Sequence, residues 1–185
     1  HPKLKAARKV SRTDIFQVLF GDDEDAKKLV HEAFDNAYRN YFGDVYPFES
    51  GVEKMLEDLH ELNLKVGALT NRNREFMMHE VSVVNETGWE HFFDTIVCGD
   101  DVEKRKPAPD QILLALEELD EKPSLDCWYV GDSTTDIIAA KEAGVTGVYY
   151  NGAKWSKDWL DKIFPGTVDH PHRPDVVVNN FKELM

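Results

Sequence analysis

The segment YVGDSTTDIIAAKEAGV, residues 129–145, holds an apolar run that turns through Gly131 and Asp132 directly into a helix. DCWYVGD (126–132) reads as a strand, and STTDIIAAKEAG (133–144) as a helix closed by Gly144. The same alternation continues on both sides. Upstream, LKVGALT (64–70) and DTIVCG (94–99) read as strands. Helical stripes lie at Val52–Leu59, at Phe76–Val84 and at Ile112–Leu119, the last opened by Pro107 and Pro109. Downstream, TGVYYN (146–151) and DVVV (175–178) read as strands, and Phe181 to Met185 as a helical tail. Short Val- and Ile-rich strands between helices, with little alternation inside each strand, predict a parallel sheet covered on both faces. The fold class is therefore α/β, a Rossmann-like doubly wound parallel sheet.

The pattern changes near VYPFESG (45–51). Before it the chain is purely helical. Ala26, Leu29, Val30, Ala33, Phe34, Ala37, Tyr38 and Tyr41 form one amphipathic stripe. A shorter helix is expected over Thr13–Phe20, capped by Ser11 or Thr13 and stopped by Gly21. The expected organisation is a helical module over residues 1–45 and an α/β core over 46–185.

Composition limits the partners. The 185 residues carry 22 basic and 35 acidic side chains, a net charge of −13. A nucleic-acid groove or an anionic membrane surface would require clustered positive charge, so neither is an expected partner. No apolar run is long enough to span a bilayer. The first residues, HPKLKAARKVSR, lack the apolar stretch of a signal peptide. Two cysteines, Cys98 and Cys127, are too few for a disulfide scaffold, and a reducing cytoplasm is the expected compartment.

In an open parallel sheet, ligands bind beyond the carboxyl ends of the strands. One strand ends in Thr70-Asn71, another in Gly131-Asp132-Ser133 with Asp136 one turn later, and Lys104-Arg105-Lys106-Pro107 precedes the helix at 109. A hydroxyl, cations and a carboxylate pair on one edge make a site for an anion and a divalent metal. Asp132 and Asp136, spaced i, i+4, share a helix face, and their hard oxygens suit Mg²⁺. Lys106 can neutralise a phosphate or a nucleophilic carboxylate as a point charge. Thr70 can donate its hydroxyl proton to a phosphoryl oxygen, and Asn71 with the following backbone amides can add donors.

The set LTN (69–71), KRKPAPD (104–110) and YVGDSTTDIIAAKEAGV (129–145) resembles the second, third and fourth motifs of the haloacid dehalogenase superfamily, in matching order and spacing over about residues 46–150. The detailed pattern is similar to phosphoglycolate phosphatases and their relatives. YPFESGVEKML (46–56) looks like the return from a helical cap to the core, and residues 11–45 like the later helices of that cap. The resemblance implies a Mg²⁺-dependent phosphatase that hydrolyses a small phosphorylated metabolite through an aspartyl-phosphate. It implies that Asp132 ligates the metal and that Asp136 orients a metal-bound water or Lys106. Thr70, Asn71 and Lys106 would hold the phosphoryl group, with Lys106 bridging it to the nucleophile, and the cap would choose the substrate.

The family's first motif, an Asp-x-Asp that supplies the nucleophile, is absent. The nearest string, Asp22-Asp23-Glu24-Asp25, follows an apolar run. It is read instead as a helix start, where acidic residues favour the dipole. It also lies too near the second motif to leave room for a cap. The nucleophile and the central strand that carries it are expected upstream of His1, since a sheet without its middle would expose two unpaired edges.

Two other functions fit part of the pattern. A sugar-phosphate mutase of the same superfamily is disfavoured because those relatives often carry a Glu-Asp pair where Gly131-Asp132 stands. A catalytically silent binding module would also lack a nucleophile. Oligomeric state, monomer or dimer, is left open. Plainer readings exist for single residues: Lys104 and Arg105 as solvated loop charges, His170 and His172 as surface loop residues, Trp155, Trp159 and Phe164 as packing aromatics, and Cys127 as a core residue in its strand.

Overall fold

A computed structural model describes residues 12–41 and 43–185 and divides the chain into two compact units after Asp44. The first holds helix α1 (Arg12–Phe20) and helix α2 (Glu24–Arg39). Gly21 ends α1 at φ +60°, a left-handed conformation that suits glycine, with its N–H bonded to Gln17 O at 2.9 Å. Asp23 caps α2, its side chain accepting from Ala26 N at 3.0 Å, and Glu24 and Asp25 fill the first turn. The acidic run is thus the start of a helix. The apolar stripe of α2 is present, but no described residue of that helix is buried, and Leu29 is 67% exposed. Phe16 of α1 meets His31 edge-on at 4.7 Å.

The second unit is the α/β part. Its elements run α3 (Val52–Glu61), β1 (Gly67–Leu69), α4 (Arg74–Val83), β2 (Thr95–Val97), α5 (Asp110–Glu118), β3 (Trp128–Gly131), α6 (Thr134–Ala143), β4 (Thr146–Tyr150), α7 (Lys157–Ile163) and β5 (Val176–Val178). The tail at Phe181–Leu184 is a 3₁₀ turn. Every strand pair is parallel. β1 pairs with β2, and β3, β4 and β5 pair in that order. Among the described residues no ladder joins β1 to β3, so the parallel sheet is in two parts.

Three clusters make the core. Ile112 and Leu116 of α5 pack on Ala139, Ala140 and Ala143 of α6 and on Val145. The alanines keep α6 narrow, and Gly147 of β4 adds to the close approach: a Cβ there would stand 3.3 Å from Ala140 Cβ. Leu56, Val81, Val84, Trp89 and Phe92 form the second cluster. Ile137, Tyr149, Ile163 and Phe164 form the third, with Trp159 against it. Trp155 departs from the packing role read for it, being 47% exposed beside the Trp159 ring. Cys127 lies just before β3, half-buried on the first cluster. His172 Nε2 lies 2.7 Å from Glu142 Oε1. Among the described residues, no helix is long and apolar enough to cross a membrane.

Candidate active site

Three loops meet beyond the carboxyl ends of β1 and β3. The first, Thr70–Asn73, follows β1 and is tied to β2 by Thr70 N–H on Val97 O at 3.0 Å. The second approaches α5 and carries Lys106. Asn71 grips it with both ends of its carboxamide: Nδ2 donates to Lys106 O at 2.9 Å, and Oδ1 accepts from Lys106 N at 3.0 Å. Gln111, on the first turn of α5, adds a second tie. Its Nε2 donates to Thr70 O at 2.6 Å and its Oε1 accepts from Lys106 N at 3.3 Å. Gln111 is 0% exposed, so these bonds offset the cost of burying an amide. Thr70 Oγ1 accepts from Arg72 N at 3.1 Å, which orients the hydroxyl and occupies one of its lone pairs.

Arg105 is exposed, as a loop charge would be, but it is also a tie between loops. Its guanidinium donates to Gly99 O, Asn71 O and Asn73 Oδ1 at 3.1, 2.9 and 2.7 Å. Its planar fork of donors suits this stitching of one loop to another. Gly99 is needed beside it, because a Cβ there would fall 2.4 Å from Asn71 O.

The third loop leaves β3 at Gly131 and enters α6. Ser133 and Asp136 make a reciprocal cap: Asp136 Oδ2 accepts from Ser133 N at 3.0 Å and from Ser133 Oγ at 2.6 Å. Its other oxygen, Oδ1, accepts from Lys106 Nζ at 2.8 Å and from the Tyr129 hydroxyl at 3.2 Å. Lys106 Nζ also donates to the Tyr129 hydroxyl oxygen at 2.6 Å. The Lys106 and Asp136 side chains are each only 8% exposed. Gly131 makes room for this arrangement, since a Cβ would lie 2.3 Å from Asp136 Cβ. Burial, then the charge of Asp136, holds the Tyr129 hydroxyl well above its ordinary pKa, so it stays protonated.

Asp132 differs from Asp136. It is exposed to solvent, whereas Asp136 is 6% exposed. Partial desolvation by the surrounding loops, then the Asp136 charge, raises the Asp132 pKa, and Lys106 opposes the rise. Asp136 uses four acceptor positions within the protein, about the capacity of a carboxylate. Asp132 is thus the carboxylate better able to take a metal. Mg²⁺ commonly binds one or two carboxylates and completes its shell with water and substrate phosphate. A single accessible carboxylate fits that habit; the described residues contain no cluster of three or more His, Cys, Asp or Glu that could cage an ion.

Of the residues singled out in the sequence, Lys106 and Asp136 touch, Asn71 holds the Lys106 backbone, and Thr70 is reached through Gln111. Gln111 and Tyr129 escaped sequence reasoning. Gln111 sits in an amphipathic helix pattern, and Tyr129 in an apolar run that reads as core.

The chain belongs to the haloacid dehalogenase-like hydrolase family, which it matches over residues 3–149. It is 31% identical over 156 residues to pyrophosphatase PpaX of Halalkalibacterium halodurans, covering 84% of this chain and 69% of that protein. It is 29% identical over 168 residues to phosphoglycolate phosphatase of Salmonella typhi, covering 88% of this chain and 59% of that protein. Its fold is similar to the crystal structure of a haloacid dehalogenase-like hydrolase from Bacteroides fragilis, with TM-score 0.75 and 20% identity over 99% of this chain and 81% of that one. The chain spans 63%, 69% and 59% of the length of three such curated relatives.

Proposed function

We propose that this chain is the core and part of the cap of a Mg²⁺-dependent phosphatase acting on a small phosphorylated metabolite, with a phosphoglycolate-like monoester as the leading class. The observation that carries the reading is the Lys106 ammonium, held 2.8 Å from buried Asp136 where the loops after β1 and β3 converge. An ammonium fixed among protein groups, rather than mobile in water, stabilises charge on a transferring phosphoryl group without reorganising first.

Each residue has a distinct part. Lys106 supplies the fixed positive charge between phosphate and nucleophile. Thr70 and Asn71, with the amides that open α4, surround the phosphoryl oxygens. Asp132 holds Mg²⁺, which supplies Lewis-acid charge neutralisation when bound. Asp136 keeps Lys106 in place. The reaction requires a nucleophilic aspartate, which none of these site residues supplies. That aspartate attacks phosphorus to give an aspartyl-phosphate, releases the alcohol, and is regenerated when water cleaves the acyl phosphate. The names of the relatives in the PpaX and phosphoglycolate phosphatase groups support a small phosphate as substrate and leave two arms to compare.

The test is phosphate release by the full-length protein from p-nitrophenyl phosphate, phosphoglycolate and pyrophosphate, with and without Mg²⁺. Metal-dependent turnover with the highest kcat/KM on phosphoglycolate is expected. Preference for pyrophosphate would move the substrate class. No turnover on any of the three would favour a silent binding module.

A further inference from the structure

We propose that Tyr129 is a positioning residue for the Lys106 ammonium, acting through the hydroxyl that it shares between Lys106 and Asp136. The proposal rests on the phosphatase reading above and adds a residue to it.

A lysine side chain is a point charge on a flexible four-carbon stem, so one partner does not fix its direction. An ammonium has three N–H donors. Lys106 gives one to Asp136 Oδ1 at 2.8 Å and one to the Tyr129 oxygen at 2.6 Å. The Tyr129 hydroxyl gives its own proton to Asp136 Oδ1 at 3.2 Å. The three groups close a ring of hydrogen bonds drawn from three elements: the loop before α5, β3 and α6. With two donors fixed, the third has one direction left. Held by Asp136 alone, the ammonium could pivot about a single bond.

The strand geometry explains why this tyrosine reaches the pair. Side chains alternate across a strand, so Tyr129 and Gly131 share one face of β3. Gly131 faces Asp136 without a Cβ, and Tyr129 meets the same carboxylate with its tip. Nζ lies 5.2 Å from the Tyr129 ring centre, so the ring packs beside the ammonium as well. Phenylalanine would keep that packing and lose only the hydroxyl. This separates positioning from filling space.

The experiment compares full-length protein with its Tyr129→Phe variant by steady-state kinetics, thermal unfolding, and acetylation of Lys106 by acetic anhydride read by mass spectrometry against Lys104. A fall in kcat of about tenfold is expected, with KM within about twofold, the loss of one hydrogen bond to a charged group. Lys106 should acetylate severalfold faster in the variant, and the thermal midpoint should stay close to the parent's. Unchanged kcat, or unchanged Lys106 acetylation whatever kcat does, would overturn the proposal and leave Tyr129 a packing residue. If the parent hydrolyses no phosphate, the phosphatase reading fails, and the acetylation rates alone decide whether Tyr129 restrains Lys106.

Discussion

Asn71 and Lys106 are joined by a reciprocal pair of hydrogen bonds, 2.9 and 3.0 Å, that ties the loop after β1 to the loop before α5. The pair locates the backbone from which the Lys106 side chain reaches Asp136. Asn71→Ala removes both bonds, while Gln111 still holds the Lys106 N–H at 3.3 Å. A loss of about 1–3 kcal/mol in unfolding free energy is expected. A larger proportional loss in kcat/KM should accompany it. Denaturant unfolding and steady-state kinetics on the same sample compare the two.

Gly131 faces Asp136 with no room for a methyl group, the added Cβ falling 2.3 Å from Asp136 Cβ. Gly131→Ala should therefore push α6 or its cap outward and cost about 1–3 kcal/mol, the range for overpacking. A shift in thermal midpoint reads the cost. Lys106 acetylation should rise in the same variant, because Asp136 is displaced with the cap.

Asp132 is accessible and lies next to the cap residue Ser133 rather than serving as the cap itself. Asp132→Asn should weaken Mg²⁺ binding well beyond its effect on folding. Calorimetric Mg²⁺ titration and thermal unfolding without metal make the comparison. Intact metal affinity together with a lower midpoint would contradict the assignment.

Stability should depend on acid through Asp101 and Asp175. The Arg74 hydrogen bond, opposed by partial burial, holds Asp101 below its ordinary value of 3.8. Burial works against ionised Asp175, but Lys141 and the Gly147 N–H outweigh it and lower its pKa as well. Both groups bind protons more weakly folded than unfolded. Their contribution is thus full above the unfolded value and is lost as pH falls below it through the folded values. Urea unfolding should show stability dropping as pH falls below about 4. Asp101→Asn should flatten that drop.

Much of the fold could be read from residue order. Each of the five apolar runs read as strands contains one, but the expected cover on both faces is incomplete: Trp128 of β3 is 57% exposed, and Val176 and Val177 of β5 are 39% and 40% exposed. The strands are shorter than the runs. LKVGALT narrows to Gly67–Leu69, since Leu64 and Lys65 are exposed before the ladder begins. Helix α6, at Thr134–Ala143, lies within the helix read over 133–144 and was legible. The roles of Tyr129, Gln111 and Arg105 were not. Spacing along a strand says that Tyr129 shares a face with Gly131, but not that a lysine 23 residues upstream supplies its partner. Gln111 looks like the polar edge of an amphipathic helix until α5 is seen packed beneath Thr70. Lys104 and Arg105 read as solvated loop charges, and only the fold shows that Arg105 joins loops.

The most direct test of a phosphate site centred on Lys106 is Mg²⁺-dependent phosphate release by the full-length protein beside its Lys106→Met variant. Metal-dependent turnover by the parent is expected, with kcat lower in the variant by a factor on the order of 10²–10³, the effect of removing one preorganised charge from a transition state. Equal turnover by the two proteins, or none by the parent with Mg²⁺ present, would contradict it.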